Sequence, residues 1–301
     1  MRLGDAPQWA HAEPDLAGSV PSFAFDPADP WTATFQAGLE RAELRGRRVY
    51  EVGVGSGTNV LFMLRACDAS MVFGSDLDPR LAAVARTFVA QRAPALTDRF
   101  RPIDGPVSLI DAPVARATMA ETDVVVGCLP QVPDPQEAAS AKFRLAHLTA
   151  ADAGRQLEDR LAHYYPWEQF DEHPFNAVGL GLIEALLTSV RAYAPQAEVI
   201  LILGCRIGRD ALTRLFRSNG YHAQELASRI VRQHARTDIS FFAALEAAMR
   251  GTGYERDFVC EFYADEAGRL AISASEASER LNADPAQPVF HEVCVLRGRR
   301  A

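Results

Sequence analysis

A chain of 301 residues, 48% of them apolar, has the composition of an ordinary globular protein and is long enough to bury the core of one large domain. Its formal net charge of −8 argues against binding nucleic acid through charge alone, and no apolar run is long enough to span a bilayer. The five cysteines lack C-x-x-C spacing and the N-terminus lacks an apolar signal segment, so we expect a cytoplasmic protein without disulfides or a zinc site.

The first 45 residues are predicted to form a polar, proline-punctuated arm that leads into a helix near residues 36–44. The arm carries more large apolar side chains than a disordered tail would, namely Phe23, Phe25, Trp31 and Phe35. Two interpretations are open. These side chains either pack on the flank of the core or cover a binding site as a lid.

Residues 48–60 predict a buried strand, a glycine-rich turn and the first turn of a helix. Glycines at 53, 55 and 57 let the backbone bend tightly and approach a ligand, and the helix that follows offers unpaired N–H groups. The spacing is G-x-G-x-G, which differs from the G-x-G-x-x-G of dinucleotide-binding proteins. An acidic residue, Glu51, lies shortly before the first glycine.

A second strand, residues 71–76, ends in Asp76, whose carboxylate can accept both hydroxyls of a ribose held over the turn. An ordinary strand–helix–strand start explains the turn but not two acids in register with it. The run E-V-G-V-G-S-G, followed by G-S-D-L-D-P-R, resembles class I S-adenosylmethionine (SAM) methyltransferases. The resemblance implies an α/β, Rossmann-like fold with a seven-stranded, mostly parallel sheet and flanking helices. It also implies SAM binding without a metal by Glu51, Gly53, Gly55, Gly57, Asp76 and Leu77.

A third strand, residues 99–103, leads to Asp104. In the methyltransferase pattern an acid here meets the adenine amino group, while a turn aspartate is the competing interpretation. The apolar strand 122–127 is typical of the centre of a parallel sheet.

That strand is followed by Cys128-Leu129-Pro130-Gln131, at the edge where open α/β sheets place their chemistry. Relatives that methylate amino groups carry N-P-P-[YF] here, so Cys128 in the place of Asn disfavours N-methylation. No basic residue flanks Cys128, so we expect a buried structural cysteine rather than a nucleophile. The resemblance implies that Gln131 and Cys128 lie at the reacting groups, and that Gly127, Leu129 and Pro130 lie along SAM.

Residues 132–174 are predicted to be an insertion with a helical run over 138–161. Residues 163–173 then mix aromatic side chains with acids and histidines. Such a mixture attracts cations, which predicts a pocket for a sulfonium with Tyr165 as the leading catalytic candidate and Tyr164 next. The alternative is that these aromatic residues only pin the insertion onto the core.

The remaining pattern alternates helices and strands. Helices are predicted at 176–194, 210–218, 240–249 and 273–281, strands at 198–204, 221–231, 257–263 and 289–297, and a solvated arginine-rich end beyond. We therefore divide the chain into an N-terminal arm or lid (1–45) and a catalytic domain (46–301) with insertions at about 132–174 and 237–284.

Longer stretches are similar to the amino-terminal catalytic domain of methionine S-methyltransferases, nearly end to end. They are residues 20–39, 126–132, 179–183, 215–221 and 237–246. That family is much longer, and related stand-alone proteins include azetidine-2-carboxylate synthases, which cyclise SAM and release methylthioadenosine.

The short chain and the aromatic segment favour SAM cyclisation. Methyl transfer to methionine, or to another small thioether or amine, is the alternative, and a SAM-binding scaffold without turnover is a third. The expected partners are small molecules, not nucleic acid or membrane, and a homodimer is compatible with the sequence.

Overall fold

The computed structural model describes residues 29–78, 80–107, 112–131, 172–234, 239–253, 255–256 and 259–301. The strands are β1 (Arg48–Val52), β2 (Met71–Asp76), β3 (Phe100–Pro106), β4 (Val124–Gly127), β5 (Glu198–Gly204), β6 (Tyr221–Arg232), β7 (Phe262–Tyr263), β8 (Ala271–Ile272) and β9 (Phe290–Arg300). The α-helices are α1 (Pro30–Arg41), α2 (Thr58–Arg65), α3 (Leu81–Arg92), α4 (Pro113–Met119), α5 (Gly181–Tyr193), α6 (Arg209–Ser218), α7 (Ser240–Met249) and α8 (Ala274–Ala283).

The strands form a single sheet in the order β3-β2-β1-β4-β5-β9-β7-β8, with β6 also paired to β9. The first five strands in that order are mutually parallel, and β9 runs antiparallel to β5 and β6. The α/β, mostly parallel sheet that the resemblance implied is confirmed. The described strands number nine rather than seven, because β7 and β8 add a two-residue hairpin beside the start of β9.

The central strands are apolar because both faces of the sheet are covered. In β4, Val125 packs into one core cluster while Val124 and Val126 pack into the cluster on the opposite face. This follows from the alternation of side chains along a strand. The sheet edge where the parallel strands end is therefore rigidly placed.

Helix α1 lies on the sheet and begins earlier than the sequence predicted. It starts at Pro30, a residue suited to the first helical position, rather than near residue 36. Phe35 and Leu39 are fully buried, and a Cβ at Gly38 would lie 2.5 Å from Val295 of β9. The part of the predicted arm that the structure describes therefore packs on the core.

Several other elements also differ from the prediction: β7 begins at Phe262 rather than at 257, and α4 was not predicted. Strand β3 extends through Asp104 to Pro106, and a 3₁₀ turn (Pro174–Val178) precedes α5. The arginine-rich end is not a solvated tail, since it continues β9 and Arg299 pairs with Glu198 at 3.0 Å.

None of the helices in the described ranges has the length and apolar character needed to span a membrane.

Candidate active site

The carboxyl ends of the parallel strands bring the predicted motifs together. Strand β1 lies between β2 and β4, so the strand order reverses beside it, and open α/β sheets bind ligands at such a point. The glycine turn follows β1, Asp76 ends β2, and residues 128–131 follow β4. A 3₁₀ turn, Cys205–Ile207, follows β5 at the same edge.

The glycine turn and Asp76 are joined by hydrogen bonds. The Gly55 N–H donates to Oδ2 of Asp76 (3.0 Å), and the Asp78 N–H donates to Oδ1 (3.0 Å). Gly55 has a φ of +51°, and a Cβ placed there would have no atom within 4 Å. The backbone at Gly55 therefore borders open space, as a surface for a ligand requires.

Gly57 has a packing role that the sequence did not predict, and its SAM contact stays a prediction. A Cβ on Gly57 would lie 2.8 Å from Cβ of Ala85, so this glycine permits α2 to approach α3 closely. At Gly53, a Cβ would meet Leu129 at 3.4 Å, which places the turn against the segment that follows β4. The backbone thus borders open space at Gly55, packs against α3 at Gly57 and faces Leu129 at Gly53.

Glu51 is a buried carboxyl group beneath this turn. It is 1% exposed, and neither carboxyl oxygen accepts a hydrogen bond from the described residues. Burial raises its pKa from 4.5 to about 8; the nearby Asn59 side chain opposes this shift and the charge of Asp76 adds to it. A buried carboxyl group whose nearest stabilising neighbour is a single amide is costly, and a bound cation would offset that cost.

Replacing Asp76 with asparagine should weaken SAM binding by about 1–3 kcal/mol, because the charge that would strengthen hydrogen bonds to ribose hydroxyls is lost. The exposed Asp98 provides a matched control, and Asp98→Asn should bind normally. Titration calorimetry gives both affinities. Unchanged affinity in a folded Asp76→Asn variant would contradict the ribose assignment.

The segment after β4 differs from the prediction at Cys128. We expected a buried structural cysteine, but Cys128 is exposed, because it lies at the open edge of the sheet rather than inside it. The surrounding protein nevertheless raises the pKa of the thiol, and the charges of Asp29 and Glu51 add to this effect. The thiol is therefore protonated at neutral pH, which disfavours it as a nucleophile.

Gln131 joins the end of β4 to the end of β5. Its Nε2 donates to the carbonyl oxygen of Gly204 (3.1 Å), and its Oε1 accepts the Gly204 N–H (2.5 Å). One N–H of the amide remains for a ligand. Gln131 thus fixes the two strand ends relative to each other, a positioning role that the sequence did not predict.

The start of α1 borders the same edge. A Cβ on Gly204 would lie 3.1 Å from the Trp31 ring, and the Arg206 guanidinium lies 5.8 Å from the centroid of that ring. The Trp31 ring is tilted against that of the buried His291 at 5.9 Å. Sequence reasoning missed Arg206, although its place directly after a central strand is a usable signal.

The remaining predicted site residues lie at the strand ends or outside the described residues. Asp104 lies in β3 rather than in a turn, and its exposed side chain is 3.5 Å from Arg86, so a contact with adenine stays a prediction. Leu77, Gly127 and Pro130 lie next to the strand ends, again with their SAM contacts untested. Tyr164 and Tyr165 lie outside the described residues, as do Phe23 and Phe25.

A metal site is not apparent in the described ranges, where no three His, Cys, Asp or Glu side chains form a group that could hold an ion.

Comparison with proteins of known name finds methionine S-methyltransferases, the family that the motifs resemble. No family model matches the chain. The chain is 29% identical to methionine S-methyltransferase of Zea mays over 273 residues, which is 86% of this chain and 23% of that protein. It is 28% identical to the enzyme of the same name from Hordeum vulgare, again over 86% of this chain and 23% of that protein. The chain thus spans about a quarter of the length of these relatives.

Solved structures align more loosely. A SAM-dependent methyltransferase from Geobacter sulfurreducens with bound S-adenosyl-L-homocysteine is 13% identical with a TM-score of 0.38, covering 87% of this chain and 88% of that one. Geranyl diphosphate methyltransferase with bound SAM is 11% identical with a TM-score of 0.41, covering 94% and 96%. The resemblance to methionine S-methyltransferases is confirmed by the sequence comparison.

Proposed function

We propose that this chain binds SAM over the glycine turn and cyclises it to azetidine-2-carboxylate, with release of methylthioadenosine. Glu51 carries the proposal. It is buried at the end of β1, beneath the glycine turn, and burial raises its pKa well above that of an ordinary carboxyl group. Cyclisation needs a group that takes a proton from the α-ammonium of SAM, and a carboxylate of raised pKa is suited to accept it.

The reaction balances with Glu51 as the proton acceptor. The ammonium gives one proton to the carboxylate, and the freed nitrogen lone pair attacks Cγ of the same molecule. The Cγ–S bond breaks, and its electron pair stays on sulfur as the neutral thioether of methylthioadenosine. Positive charge moves from sulfur to the ring nitrogen, so the leaving group needs no acid.

The arrangement of the site suits this chemistry. Glu51 interacts electrostatically with Asp76 and with Cys128, so its carboxyl group lies near both strand ends of the proposed site. Cys128 stays neutral, so it does not compete for the proton. Holding nucleophile and carbon within one bound molecule can supply much of the reduction in the barrier.

Methyl transfer to methionine, or to another small thioether, is the second candidate. One observation favours it: the curated relatives are named for this reaction. A neutral thioether loses no proton when it attacks a methyl group. This candidate therefore leaves the pKa of Glu51 without a catalytic role.

The two candidates differ in their need for methionine. We expect the rate of SAM consumption, followed by chromatography of the nucleoside products, to be unchanged by added methionine. If consumption needs methionine and yields S-adenosylhomocysteine, methyl transfer is the function. Heat-denatured protein serves as the control for spontaneous decay of SAM.

A further inference from the structure

A small, partly open pocket lies at the carboxyl ends of β4 and β5, beside the segment that carries Gln131. Gly204 and Arg206 form the wall contributed by the end of β5, and Phe241 and Phe242 of α7 form another wall. Val178, Gly179 and Ile207 complete the described lining. The pocket is thus mostly apolar, with an amide and a guanidinium as its polar groups, as small-molecule sites commonly are.

The guanidinium of Arg206 has no carboxylate partner in the described part of the chain. Its Nε donates to Gln233 Oε1 (2.9 Å), and Trp31 lies against its face. The neighbouring carboxylates are committed elsewhere: Glu292 forms an ion pair with Arg209, and Glu261 accepts the Arg209 N–H at 3.4 Å.

Desolvation lowers the pKa of Arg206 to about 10, with only a small opposing effect from Cys205. Arg206 is half-buried, and cations that the protein partly removes from water are usually paired. Arginine offers five N–H donors in a fork that matches a carboxylate, and Gln233 takes one of them.

We propose that this pocket binds the carboxylate of an amino acid substrate through Arg206, with the adjacent carbon chain against Phe241 and Phe242. This rests on the proposed use of SAM. The carboxylate has two possible sources, the amino acid end of SAM itself or a separate amino acid such as methionine. In both cases Gln131, the last residue of the segment after β4, lines the subsite.

The test measures binding rather than turnover, so it is read independently of which reaction occurs. Calorimetry compares two ligand pairs that differ in the carboxylate: SAM with decarboxylated SAM, and methionine with methioninamide in the presence of S-adenosylhomocysteine. We expect the native protein to favour the carboxylate by about 10- to 100-fold in one pair. That pair identifies the source of the carboxylate.

Variants assign the preference to Arg206. Arg206→Gln should abolish it, Arg206→Lys should keep part of it, and Arg217→Gln, an exposed arginine on α6, should leave it unchanged. A native protein without preference in either pair would overturn the proposal, whether or not the variants fold. So would a folded Arg206→Gln variant that retains the full preference.

Discussion

Glu51→Gln is expected to lower kcat for SAM cyclisation by roughly 10²- to 10⁴-fold at saturating SAM, because an amide cannot accept the ammonium proton. The substitution keeps the size of the side chain, so the fold should persist. Affinity for SAM should fall less than kcat, since the glycine turn and Asp76 remain. Initial rates across a range of SAM concentrations separate the two effects.

Asp76→Asn is the matched comparison, because it alters a second carboxylate at the same sheet edge. For Asp76→Asn we expect the loss to appear in binding rather than in turnover, as a raised KM with a largely retained kcat. If Glu51→Gln instead raises only KM, Glu51 binds a cation without taking its proton. Methyl transfer would then be favoured over cyclisation.

Glu51→Gln should also change how the stability of the folded protein depends on pH. The folded protein raises the pKa of Glu51 from 4.5 to about 8, so between these values the folded state binds more protons than the unfolded state. The contribution of this group to stability is thus fully present below about pH 4.5 and is lost as pH rises through about 8. Denaturant titrations of the ligand-free protein should show a smaller decline for Glu51→Gln.

Gly55→Val is expected to reduce SAM affinity by roughly 100-fold or more, because a branched side chain would fill the open space beside the turn. Gly46→Val is the control. Gly46 also has a positive φ, +71°, and a Cβ placed there would likewise have no atom within 4 Å, but it lies at the opposite end of β1. Both variants should lose about 1–3 kcal/mol of stability through backbone strain.

Calorimetry on the two folded variants separates strain from loss of the site. If both valine variants lose affinity equally, the effect arises from instability rather than from a ligand at Gly55. If neither loses affinity, the glycine turn does not face SAM.

Local patterns were sufficient to predict the strand ends that carry the site. The order of strand, glycine turn and helix at 48–60 follows from residues adjacent in sequence, and Glu51 and Asp76 were identified in this way. Strand β4 was recognised because burial on both faces requires a continuous apolar run. These features depend little on distant contacts.

Features that depend on distant contacts were not predicted. The pairing of Gln131 with Gly204 joins residues 73 positions apart, and no local pattern signals it. Trp31 meets Arg206 only because α1 packs across the sheet. The exposure of Cys128 likewise depends on how the surrounding loops leave the edge open.

The central claim is tested most directly by incubating the purified chain with SAM that carries a deuterated methyl group, without any other substrate. We predict methylthioadenosine that retains the full label, together with an equimolar amount of azetidine-2-carboxylate, both measured by mass spectrometry. Spontaneous decay of SAM forms no azetidine ring, so the second product identifies the enzymatic reaction. A parallel incubation contains added methionine; transfer of the labelled methyl group to it, with S-adenosylhomocysteine and no azetidine-2-carboxylate in either incubation, would contradict the claim.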